Sequence, residues 1–117
     1  MFQPDNKDFW QAIVTLVSSG NIVIDRPKGS NHPKFPNIKY EVDYGYIENT
    51  ASMDGDGIDV WRGSLDSNEV VGIICTVDLM KRDSEIKLLL GCTEDEIATV
   101  YEFHNSTEFM KGMLIKR

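Results

Sequence analysis

Ile38 to Trp61 reads IKYEVDYGYIENTASMDGDGIDVW, and its three parts set the architecture. Ile38-Lys39-Tyr40-Glu41-Val42-Asp43-Tyr44 alternates apolar and polar side chains, as a strand with one buried face does. Asn49 to Gly57 is rich in Asn, Ser, Asp and Gly, the residues that tight turns accept. Ile58-Asp59-Val60-Trp61 then resumes the strand, with Asp59 directed away from its apolar neighbours.

Outward from this hairpin the pattern remains one of strands with helices at the flanks. Upstream, Asp5 to Ser19 carries Phe9, Ile13, Leu16 and Val17 at helical spacing, with Gly20 beyond the C-cap. Ile22-Val23-Ile24 is a short β-branched run, and the Pro-rich segment PKGSNHPKFPN from Pro27 to Asn37 follows as a loop or edge strand. Downstream, Val70 to Val77 reads as a buried strand and Ile86 to Leu90 as its hairpin return. Thr93-Glu94-Asp95-Glu96 has the capping-box form before Ile97, Val100, Tyr101 and His104, and Met110 to Ile115 supplies a closing strand. The expected fold is mainly β (α+β): a small OB-like barrel, closed or half-closed, with N- and C-terminal helices. His104 falls on the apolar stripe of its helix and reads as a packing histidine, and Phe9, Trp10 and Trp61 read as core.

The whole chain, 117 residues with 41% hydrophobic side chains, reads as one domain with one core. Twelve basic against nineteen acidic residues give a net charge of −7, which disfavours nucleic acid as a partner. Asp5, Asn6, Lys7 and Asp8 stand where a secretory leader would be apolar, and no stretch nears the roughly 18 apolar residues of a membrane span. The expected location is the cytoplasm, with no membrane partner. Cys75 and Cys92 read as small hydrophobes rather than as a disulfide or zinc ligands.

Asp54-Gly55-Asp56-Gly57-Ile58-Asp59 packs three carboxylates into six residues. Asp and Gly also make exposed acidic turns, but converging carboxylates repel unless cations balance them, and an all-oxygen set suits hard Mg²⁺ or Mn²⁺. An EF-hand is excluded, because Ile58 falls on a ligand position, Asp59 on the required glycine and Leu65 on the closing Glu. Asp83, Glu85 and Lys87 share one face of the next hairpin and could join the cluster. Arg26, Lys28, His32 and Lys34 precede the carboxylate strand and supply the donors that a polyanionic phosphate needs.

Tyr44-Gly45-Tyr46-Ile47, Thr50 and Asp54-Gly55-Asp56-Gly57-Ile58-Asp59-Val60 resemble, without a gap over the 17 residues from Tyr44 to Val60, the signature block of the family I inorganic pyrophosphatases. Met80 to Lys87 is similar to that family's acidic hairpin, with Glu85 at its aspartate and Lys87 at its lysine, and Ile97, Ala98 and Glu102 are similar to its C-terminal helix. Lys39-Tyr40-Glu41 and Ile24-Asp25-Arg26 resemble two further family strands, in reversed order, as in a compact variant that has lost a hairpin. Gly57 replaces the family's Pro, and His104-Asn105 stand where the family has a phosphate-gripping Tyr-Lys pair. The resemblance implies hydrolysis of pyrophosphate to two phosphates, with Mg²⁺ (or Mn²⁺) held by Asp54, Asp59 and Glu85 and a further ion by Asp83. It also implies that Asp56 takes the proton of the attacking water, and that Tyr44, Lys87 and Arg26 bind phosphate. Lys28, Lys34 and Lys39 are the other substrate-binding candidates, and the family further implies a homo-oligomer. Two alternatives stand beside this reading: a catalytically silent metal- or phosphate-binding module, and a hydrolase of another phosphoanhydride such as a nucleotide.

Overall fold

Leu88, Leu89 and Leu90 are consecutive and each is at most 1% exposed, so both sides of their strand are covered. That pattern belongs to an interior strand with a layer on each face. The computed structural model describes residues 1–53 and 55–117 and supplies both layers. The chain runs α1 (Lys7–Ser18), β1 (Ile22–Arg26), β2 (Asp43–Ile47), β3 (Ile58–Arg62), β4 (Val70–Asp78), β5 (Asp83–Leu90), α2 (Glu94–Phe103) and β6 (Met110–Lys116). The strands form one sheet in the order β1-β2-β3-β5-β4-β6. Paired strands are antiparallel, except that β3 runs parallel to β5 with Val60 opposite Leu88.

On one face Val17 of α1, flanked by Trp10, Ile13 and Val14, packs on Ile47, Val60, Val70, Ile73, Leu88 and Leu90. On the other, Ile97, Val100 and Phe103 of α2 pack with Trp61, Ile74 and Leu89, and with Tyr40 and Val42 from the segment before β2. Burial of each large side chain contributes about 1.5–3 kcal/mol, so these two clusters carry most of the stability. Phe9 was expected in the core and is instead 43% exposed, since the helix turns Trp10 and Ile13 inward.

The α+β class and the flanking helices agree with the sequence reading, whereas the barrel does not close. β1 and β6 are the two ends of the sheet. Ile38 to Tyr44 also differs from expectation, because the sheet strand begins only at Asp43. Residues 38–40 fold back on the Pro-rich loop instead: Gly29 N–H donates to the Tyr40 carbonyl, Tyr40 N–H to Ser30 and His32 N–H to Ile38. The alternation was real, since Tyr40 and Val42 are buried, but it served packing under α2 rather than a sheet ladder.

Gly45 is required where β1 crosses β2, since a Cβ there would lie 1.8 Å from the Val23 carbonyl oxygen. Next to this close approach the register shifts between Ile24 and Arg26, which brings Arg26 opposite Tyr44. The expected capping box is formed: Glu96 N–H donates to Thr93 Oγ1 at 3.2 Å, and Thr93 N–H donates to Glu96 Oε1 at 2.8 Å.

His104 closes α2 and is 2% exposed. Its Nε2 accepts from Trp61 Nε1–H at 3.0 Å, and Nδ1 lies 3.2 Å from Met110 Sδ. Burial, and then the Lys87 charge, pushes its pKa down to about 3 from the ordinary 6.5. The unfolded chain therefore binds this proton and the folded chain does not, so stability is present above pH 6.5 and is lost as pH falls towards 3. The stability advantage of wild type over His104→Gln should shrink by about 2 kcal/mol between pH 7 and pH 4.5, read from urea unfolding. An advantage that stays constant over that range would refute the buried neutral histidine.

Candidate active site

The parallel pairing of β3 with β5 decides where the polar groups meet. With Val60 opposite Leu88, the preceding residues Asp59 and Lys87 stand side by side on the α2 face of the sheet. Tyr44 shares that face from β2, where it pairs with Trp61. Lys87 Nζ donates to Asp59 Oδ2 at 2.7 Å and to the Tyr44 hydroxyl at 2.9 Å, while Tyr44 donates its own proton to Asp59 Oδ2 at 2.6 Å. Glu85 Oε1 lies 3.7 Å from the same ammonium. The Lys87 side chain is 7% exposed, and an ammonium that dry persists only with anionic and hydrogen-bonded partners. Burial, reinforced by the Asp59 carboxylate, pushes the Tyr44 phenol well above its ordinary pKa and keeps it protonated.

The turn after β2 is fastened from both sides. Thr50 Oγ1 donates to the Ile47 carbonyl at 2.7 Å and accepts from Ile58 N–H at 2.9 Å. Ser52 N–H donates to the Asp56 carbonyl at 2.8 Å. The Ser52 hydroxyl reaches Glu85 Oε2 at 3.3 Å, which ties the segment that carries Asp56 to β5.

Tyr44, Asp56, Asp59, Glu85 and Lys87 line a polar cavity of about 540 Å³ together with Asp25, Arg26, His32, Gly45, Tyr46, Gly57 and Lys81. The Arg26 guanidinium lies over the Tyr40 ring at 5.4 Å and the Tyr44 ring at 5.8 Å, and it donates to the Tyr40 hydroxyl. A second hollow of about 450 Å³ lies against α2 and is mostly apolar.

Of the residues singled out from sequence, Arg26, Tyr44, Asp56, Asp59, Glu85 and Lys87 line the polar cavity together. Asp54 lies outside the described residues. Lys28, Lys34, Lys39 and Asp83 are not among the lining residues. Lys28 is held by its backbone N–H on Asp43 Oδ1, Lys34 follows the His32 turn at the surface, and Lys39 borders the apolar hollow because its segment folds onto the arm. Asp83 opens β5, two residues before Glu85 and opposite Asp78. Sequence reasoning missed Asp25 and Lys81, and named His32 only as one of a set of phosphate donors with Arg26, Lys28 and Lys34. The bulge in β1 and the short β4–β5 tip bring these residues in, and neither leaves a periodic signal.

Asp56, Asp59 and Glu85 present carboxylate oxygens to one cavity, the donor chemistry of a hard divalent cation. Among the described residues they do not converge into a three-ligand cluster. The donor type fits such an ion, and Asp59 keeps Oδ1 outside its hydrogen bonds with Tyr44 and Lys87.

Residues 5–116 match the family model described as Inorganic Pyrophosphatase. Among solved structures, inorganic pyrophosphatases from Coxiella burnetii and Neisseria gonorrhoeae align at 15% and 19% identity, each with a TM-score of 0.57. Both alignments cover 81% of this chain, and they cover 84% and 81% of the respective bacterial chains. The inorganic pyrophosphatase from Helicobacter pylori aligns at 14% identity and a TM-score of 0.55, over 81% of each chain. No curated protein matches significantly. At these identities the structural likeness speaks for the fold. No helix of the described residues is long and apolar enough to cross a membrane.

The buried Lys87–Asp59 pair yields a test of its own. Lys87→Met should cost about 2–4 kcal/mol in urea unfolding, because it leaves Asp59 with Tyr44 alone, and the further change Asp59→Asn should recover part of that loss. The coupling should persist in 1 M NaCl. At the exposed Lys116–Glu94 pair, with side chains 51% and 77% accessible, the same cycle should give almost none. Additive costs at positions 87 and 59 would refute the coupling.

Proposed function

Because this chain belongs to the inorganic pyrophosphatase family, we propose that it hydrolyses pyrophosphate to two phosphates in the polar cavity between β1, β2, β3 and β5. The observation that carries this reading is the gathering of Asp56, Asp59 and Glu85 with Arg26 and Lys87 around one cavity. A site for a phosphoanhydride needs both signs: cations for the phosphoryl oxygens, and carboxylates for a hard metal ion and for a proton.

Each residue has a task within this proposal. Arg26, held over two aromatic rings, offers its planar fork to phosphate oxygens. The Lys87 ammonium, with two N–H groups directed at Tyr44 and Asp59, keeps the third for substrate and balances charge that develops on the leaving phosphate. Tyr44 directs its one proton at Asp59 and accepts from Lys87, so it acts by fixing those two groups. Asp56, carried on the fastened turn, takes the proton of the attacking water. Mg²⁺ (or Mn²⁺), held by Asp59 and Glu85 with Asp54 as a further ligand, would when bound polarise the attacking water and the anhydride oxygens.

A binding-only role is favoured by one observation: His104 and Asn105, at the end of α2, are tied to Trp61 and to the Tyr101 and Gly112 carbonyls rather than to the cavity. Phosphate release separates the two readings. Wild type should release phosphate from pyrophosphate only with a divalent ion, and Asp56→Asn should lower turnover by about 10² or more while millimolar Mg²⁺ still raises the melting temperature. Asp59→Asn should remove most of that rise, and the exposed Asp66→Asn should leave it unchanged. A wild type that releases no phosphate from pyrophosphate or from nucleoside triphosphates, yet is stabilised by Mg²⁺, would turn the conclusion to the binding module.

A further inference from the structure

A phosphoryl group gripped in this cavity needs donors, and the end of α2 offers none, since His104 and Asn105 are engaged in the core and with backbone carbonyls. The cavity nevertheless contains two further donors: His32, which the sequence offers only as one of four arm donors, and Lys81, which the sequence reading does not single out. They reach it from separate elements, the Pro-rich arm and the β4–β5 tip.

His32 is oriented by its own turn. Nδ1 accepts from the backbone N–H groups of Lys34 at 3.0 Å and Phe35 at 3.2 Å. An accepting Nδ1 carries no hydrogen, so the neutral ring bears its proton on Nε2 and donates from there. The arm that holds the ring is ordered by the hydrogen bonds from Gly29, Tyr40 and His32 and by the bridge between Asn31 and Lys39. His32 also stacks on Tyr40, with centroids 6.3 Å apart and rings 17° from parallel, and Tyr40 is the buried ring that carries Arg26. One aromatic side chain thus fixes two donors of one cavity. Lys81 is held at the hairpin tip by its backbone N–H on Asp78 Oδ1 at 3.0 Å, and its ammonium makes no ion pair with another described residue. Burial first, and then the charges of Arg26, Lys81 and Lys34, lower the His32 pKa, so each of these charges is felt at the ring. Donors that line one cavity from separate elements can meet different oxygens of one phosphate.

We propose that His32, donating from Nε2, and Lys81 are substrate-binding residues that together with Arg26 form the phosphate grip of this chain, doing the work that the end of α2 does not. The proposal rests on the phosphoanhydride reading above. Its test uses binding, so that it can fail separately from that reading. Calorimetric titration with methylenediphosphonate, a non-hydrolysable analogue of pyrophosphate, in Mg²⁺ buffer should show about tenfold weaker affinity for His32→Ala and for Lys81→Ala, the scale of one hydrogen bond to a charged group. Lys81→Arg should stay within about threefold of wild type, and Lys116→Ala, on the edge strand β6 and away from the cavity, within about twofold. The analogue should also shift the His32 Nε2 resonance in a ¹⁵N-imidazole spectrum. Affinities of both alanine variants within twofold of wild type, at unchanged melting temperature, would overturn the grip even if pyrophosphate is hydrolysed. A wild type that binds no diphosphonate would overturn both proposals, whereas weakened variants in a protein without turnover would uphold the grip and remove the hydrolysis.

Discussion

The parallel pairing of β3 with β5 is the constraint on which the rest of the polar site depends. It sets Asp59 beside Lys87 in a sheet whose other pairs are antiparallel, and it gives a lysine with 7% side-chain exposure its carboxylate partner. Desolvating an ammonium costs several kcal/mol, and the two short bonds to Asp59 and Tyr44 offset that cost only while the register holds. A slip of one residue in β5 would turn Lys87 into the α1 core and Leu88 into the cavity. The hydrophobic packing of Leu88, Leu89 and Leu90 on two faces therefore protects the register of the site, and packing and chemistry cannot vary independently here.

The same sheet face carries both the α2 core and the cavity, with an aromatic wall between them. Tyr40, Tyr44, Trp61, Phe103 and His104 meet ring to ring at centroid distances of 4.6 to 5.8 Å. Their packing shields the His104 side, while the Tyr40 and Tyr44 hydroxyls face polar partners: Arg26 for the first, Asp59 and Lys87 for the second. Tyrosine suits such a boundary, since its ring can be buried while its oxygen stays hydrogen-bonded. The Lys87 charge acts across the wall, where together with burial it holds His104 neutral.

Much of this was legible in the sequence, and the rest was hidden for physical reasons. Local signals were reliable where one interaction decides the outcome. Thr93 and Glu96 close their capping box, and the acidic turn with Thr50 at its base brings Asp56 to the cavity that Asp59 and Lys87 share. Alternation misled at Ile38 to Tyr44, because period-two burial also arises when a non-sheet segment packs two side chains under a helix. Loop cations were the hardest to judge. Lys28, Lys34 and Lys39 look like Arg26 and Lys81 in composition, but a bulge, an arm hairpin and a hairpin tip decide which of them reach the cavity. Those are long-range outcomes that no local window contains.

The charge of the chain poses a problem that the cavity answers. At net −7 the protein repels a polyanion at long range, but with a screening length of about 8 Å at physiological ionic strength, groups beyond the cavity contribute little. What the ligand meets is the lining, where Asp25, Asp56, Asp59 and Glu85 alternate with Arg26, Lys81 and Lys87. Neither sign dominates, so such a lining has little to offer a bare cation or a bare polyanion. It suits a ligand that carries both signs, and a divalent ion paired with a phosphoanhydride is of that kind. The acidic surplus of the chain therefore need not oppose an anionic substrate, because the carboxylates attract the ion that neutralises it while the cations set its orientation.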